Sequence, residues 1–70
     1  MREANSTNGI PTTAERRTEL AALVRDRGEA GAAEVLGINR ATLARAMAGL
    51  PIHRGTHAQI AVRLAALVQP

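Results

Sequence analysis

The stretch Ala32-Ala33-Glu34-Val35-Leu36-Gly37-Ile38-Asn39-Arg40-Ala41-Thr42-Leu43-Ala44-Arg45-Ala46-Met47 decides the fold. Its apolar residues recur at helical spacing on both sides of Gly37-Ile38-Asn39, so it reads as two short helices joined by a tight turn. Gly37 suits the left-handed conformation of such a turn, Ile38 is an apolar plug, and Asn39 is the N-cap of the second helix. At about 100° per residue, Leu43, Ala46, Met47 and Leu50 fall on one side of that helix. Ala41, Ala44, Arg45 and Ala48 fall on the other. A solvent-facing helix surface usually carries several long charged or amide side chains. This one is nearly bare, with one long cation at its centre.

The flanking residues extend the pattern to an all-α bundle of four short helices. A first helix begins near Thr12 or Thr13, because Thr12 with Glu15 forms a capping box behind Pro11. Leu20, Leu23 and Val24 form its apolar stripe and Gly28 ends it as a left-handed cap. The second spans about Glu29 to Leu36, with Ala32, Ala33 and Leu36 inward. The third runs from Arg40 to about Ala48, stopped by Gly49 and Pro51. After a loop from Leu50 to Gly55, Thr56 starts the fourth, with Gln59 completing a second capping box. Ile60, Leu64, Leu67 and Val68 point it toward the core. Residues 1–11 hold little that is apolar and are expected to be a flexible N-terminal tail, leaving 12–70 as the folded domain.

Seventy residues make one small domain. With no Phe, Tyr, Trp or Cys, its core must come from Leu, Ile, Val, Met and Ala, without a disulfide. A core this small rarely supplies more than about 3–5 kcal/mol, which favours self-association as a further source of stability. All nine basic residues are Arg, and their placement matters more than the net charge of +3. The first 34 residues carry five Arg and all six acids, a net −1; from Val35 onward four Arg and no acid leave +4. That asymmetry points to a polyanionic partner for the second half. The polar N-terminus and the lack of a long apolar run imply a soluble, cytoplasmic chain with no membrane partner.

A bare alanine face lets a helix lie deep in the major groove of DNA. Alanine methyls meet thymine methyls there, and arginine bonds guanine O6 and N7. Arg40, Ala41, Ala44 and Arg45 are therefore the candidate base-reading residues. Asn39 and Thr42, at the start and flank of the same helix, suit phosphate oxygens. His53, Arg54, Thr56 and His57, with free amides at the start of the last helix, form a second candidate phosphate clamp. Glu29 would repel a phosphate at the start of the second helix, although it suits the helix dipole.

The run Ala32-Ala33…Leu36-Gly37-Ile38-Asn39-Arg40-x-Thr42-Leu43-x-Arg45 resembles the helix-turn-helix of bacterial and phage repressors. In that family an alanine packs in the first helix (Ala33 here), a glycine opens the turn (Gly37) and a branched plug follows (Ile38). Asn39 stands where Ser or Thr is commoner, and all three cap well. The resemblance implies a small stand-alone transcriptional regulator, a repressor acting by promoter occlusion on double-stranded DNA with a palindromic operator.

Other classes fit less well. Ser6 is the only serine and lies in the tail, and no nucleophile–base pair can be drawn, so no enzyme, cofactor or small-molecule ligand is expected. His53 and His57 straddle Gly55 without a nearby Cys or carboxylate, so no metal site is expected. A protein-interaction helix, antitoxin-like or anchoring, would show aromatic or large apolar anchors where this one shows alanine and arginine. Binding of RNA through the basic half lacks the stacking aromatics of single-strand readers. A homodimer is expected through the outer side of the fourth helix, where Val62, Ala65 and Ala66 lie.

Overall fold

The computed structural model describes residues 9–68, the side chain of Val68 excepted, and those residues are helical with no strand. Three helices are counted where four were expected: α1 (Ala14–Leu36), α2 (Arg40–Met47) and α3 (Arg54–Val68). The first two expected helices run as one element with a break at Gly28. Gly28 has φ 79° and ψ 165°, so it is not the left-handed cap the sequence suggested. Only one residue leaves the helix, and the chain turns a corner without a loop.

Local chemistry explains the ends. Thr13 rather than Thr12 caps α1, its Oγ1 accepting from the Arg16 amide at 3.1 Å. Thr12 is buried instead and donates its hydroxyl to the Ala46 carbonyl of α2. Arg17 closes the same corner by donating from Nη1 to the Thr12 carbonyl at 2.7 Å. At the other end of α1, Gly37 is left-handed with φ 72°. Ile38 and Gly37 amides then donate to the Ala33 and Glu34 carbonyls at 3.0 and 3.1 Å, satisfying two orphan acceptors of the last turn. Leu50 and Gly49 repeat that arrangement on Arg45 and Ala46 at the end of α2.

Two tertiary contacts change the expected boundaries. The fourth expected helix begins at Arg54, two residues before Thr56. Gln59 turns instead to the end of α1, where its Nε2 donates to the Leu36 and Gly37 carbonyls, both at 2.8 Å. The folded region also starts before residue 12. Ile10 pairs antiparallel with Ile52, the amide of each donating to the carbonyl of the other at 2.8 and 3.1 Å. Gly9 is required beside this bridge, because a Cβ there would lie 2.3 Å from the Ile52 oxygen. The rest of the expected tail, with Arg2 and Ser6, lies outside the described residues.

Helix α1 is the central element, and α2 and α3 each pack on it. The core holds Leu20, Leu23, Ala32, Ala33, Leu36, Leu43, Ala46, Ile52 and Ile60. Val24, Ile38, Met47 and Leu64 pack on it half-buried, so Ile38 is a partial rather than a sealed plug. Full burial of Leu20, Leu36, Leu43 and Ile60 contributes about 1.5–3 kcal/mol each. Leu50 and Leu67, expected on core-facing sides, are exposed. Leu67 lies on the last turns of α3, where it lines an open groove between α1 and α3 with Leu23 and Leu64.

Candidate nucleic-acid interface

Helix α2 owes its orientation to Leu43 and Ala46, which it buries against α1, and to the Asn39 cap, whose Oδ1 accepts the Thr42 amide at 2.7 Å. The opposite face is therefore set. Ala41, Ala44, Arg45 and Ala48 are all exposed, as the helical wheel required, and so is Arg40 at the start of the helix. Between the two arginines the surface is methyl groups only, a low ridge that a partner can approach closely.

A cleft of about 330 Å³ adjoins this ridge, lined by Thr42, Arg45, Pro51, Ile52, His53 and Thr56. Residues from α2, the connecting loop and the first turn of α3 thus meet in one place. Arg45 leans into the cleft and donates from Nη2 to the Pro51 carbonyl at 3.0 Å. His53 and Arg54 are exposed at the α3 end. The cleft joins Arg45 of the expected base-reading set with Thr42, His53 and Thr56 of the expected phosphate set.

His57 does not join them. Its Nε2 pairs with the Ile10 carbonyl, and it lines a separate cavity with Pro11, Thr13 and Ala58 on another side of the α3 first turn. One helical turn and the bridge between Ile10 and Ile52 commit the ring to holding the N-terminal segment. Asn39 likewise has its side-chain oxygen committed to the cap, although its residue stays exposed.

The two helix starts on this side are both positive. Both helices start with an exposed arginine, Arg40 in α2 and Arg54 in α3, and neither has an acidic residue in its first turn. Helix N-termini carry about half a positive charge, so an arginine there is opposed by the helix's own dipole. Such a placement weakens the isolated domain and concentrates positive potential where amides without helical acceptors already point outward.

Some contacts were not legible beforehand. Glu29 reaches Arg40 across the turn, Oε1 to Nη2 at 3.5 Å. Arg63 donates from Nη1 to the Val35 carbonyl at 3.3 Å, adding to Gln59 in tying α3 to the end of α1. These pairs join residues far apart in sequence, and no helical periodicity marks them. Farther along α3, Val62 is 66 % exposed, and Ala65 and Ala66 are exposed beside it. No helix among the described residues is long and apolar enough to cross a membrane. The chain matches no family model, no curated protein and no solved structure.

Proposed function

We propose that this chain binds double-stranded DNA in a sequence-specific manner, with α2 in the major groove, and regulates transcription by occupying a promoter. The observation that carries the reading is the pairing of a bare alanine–arginine helix face with a second arginine-led helix start across one polar cleft. In this reading Arg40, Ala41, Ala44 and Arg45 face base edges. Thr42, His53, Arg54 and Thr56 hold the backbone beside them, with the amides at the start of α3.

The active species is a homodimer joined through the outer side of α3. Val62 supports this, as an exposed branched side chain on a helix that also presents Ala65 and Ala66. A single module of this kind buries only about 600–1,000 Å² on DNA, and two copies on a two-fold axis double the sequence that is read. Their half-sites would lie about 10 base pairs apart, centre to centre.

Selection from a random duplex library, followed by salt-titrated binding and sedimentation, tests both parts. Expected are an enriched palindrome, affinity that falls steeply with salt, and two chains per duplex. Enrichment of no sequence overturns the specific reading, and full affinity of one chain for one half-site overturns the dimer. Preference for single-stranded RNA over every duplex would favour the RNA-binding alternative.

A further inference from the structure

Arg40 is the first residue of α2, where the helix dipole disfavours a cation. The carboxylate that offsets this comes from another helix. Glu29, the residue after the Gly28 break in α1, places Oε1 3.5 Å from Arg40 Nη2. Three ion pairs occur among the described residues. Arg16–Glu19 and Asp26–Arg27 are local within α1, and Glu29–Arg40 alone joins two helices. Both partners are largely exposed, 65 % and 69 %, so the pair lies on the surface that α2 presents rather than in the core. An exposed pair of this kind adds little to stability. Its geometry has a different use.

We infer that Glu29 is a specificity-determining residue that acts through Arg40, resting on the DNA-binding reading above. A guanidinium has five N–H donors in a rigid fork. With Oε1 3.5 Å from Nη2, the Glu29 carboxylate draws one end of that fork toward α1 and leaves the remaining donors free. An arginine biased in this way keeps free donors for guanine O6 and N7, and a swing onto the nearest phosphate costs it the attraction of the carboxylate. The carboxylate also repels phosphates directly, so it penalises every register in which α2 lies against the backbone. Glu29 therefore lowers affinity for DNA in general and spares the site where Arg40 meets its base.

The test uses the full chain, a duplex selected from a random library and an unrelated duplex. The variants are Glu29→Gln, Arg40→Ala and the double variant. Because Glu29 is exposed, Glu29→Gln should fold, and circular dichroism checks it. For Glu29→Gln, affinity for the unrelated duplex should rise about three- to tenfold and its salt slope should steepen by about one unit. Preference for the selected base at the Arg40 position should fall about tenfold. In the Arg40→Ala background, Glu29→Gln should leave base preference unchanged. If Glu29→Gln shifts both duplexes equally and keeps the base preference, Glu29 is a bystander charge and the inference is overturned alone. If the wild-type chain enriches no duplex, the DNA-binding reading falls and takes this inference with it.

Discussion

Arg45 and Arg54 flank the same region of the surface, yet they differ in what they can read. Arg45 stands on the exposed face of α2 among alanines, anchored by the Pro51 carbonyl. Arg54 opens α3 at the rim. Arg45→Ala should lower affinity for the selected duplex by about 1–3 kcal/mol and erase preference at one base pair. Equal losses on all duplexes would make Arg45 a phosphate contact. Arg54→Ala should weaken selected and unrelated duplexes alike and reduce the salt slope by about one unit; an unchanged slope removes it from the backbone contact. The exposure of Ala41, Ala44 and Arg45 was legible, because a helical wheel assigns faces wherever one side is plainly apolar; that of Arg40 came from its place at the helix start. The role of His57 was not. A histidine near a helix start reads as a free phosphate contact until the segment it holds, around Ile10, is placed beside it.

At the scale of elements, the Gly28 break positions the end of α1, the turn after it and α2. It lets the second arm of α1 leave the line of the first, so that Ala32, Ala33 and Leu36 face the core together with Leu20 and Leu23. Its φ of 79° with ψ of 165° belongs to a region open essentially to glycine alone. A Cβ added there meets nothing within 4 Å, so packing plays no part in the cost. Gly28→Ala should destabilise the fold by about 1–3 kcal/mol from backbone strain, read as a lower midpoint in urea; an unchanged midpoint would mean that the break relaxes freely. The sequence marked this glycine as an end and could not show that helix resumes at once. Whether a helix stops or bends after one residue depends on the surface that receives the next turn. The same applies to the start of α3, where Gln59 is drawn away from a local cap by two carbonyls at the end of α1.

For the whole molecule, stability rests on a few aliphatic side chains without rings to help them. Leu43 is 1 % exposed and joins α2 to the core. Leu43→Ala should cost about 2–5 kcal/mol, comparable with the roughly 3–5 kcal/mol available to a domain of this size. The expected result is loss of a cooperative thermal transition; a wild-type melting temperature would show that α2 is not held through this residue. All-helical architecture and most of the core were legible, since Leu, Ile and Ala at regular spacing leave few choices. The outward position of Leu67 was not, because helical periodicity does not say where the neighbouring helix ends. Nor was the Ile10–Ile52 bridge, which joins two irregular segments by backbone alone. That bridge gathers residues 10 to 52 into a closed ring containing α1 and α2, fastened next to His53. The order of the N-terminal segment and the order of the loop facing the cleft are therefore coupled. Whatever grips the loop should tighten that segment, and by thermodynamic reciprocity whatever grips the segment should tighten the loop.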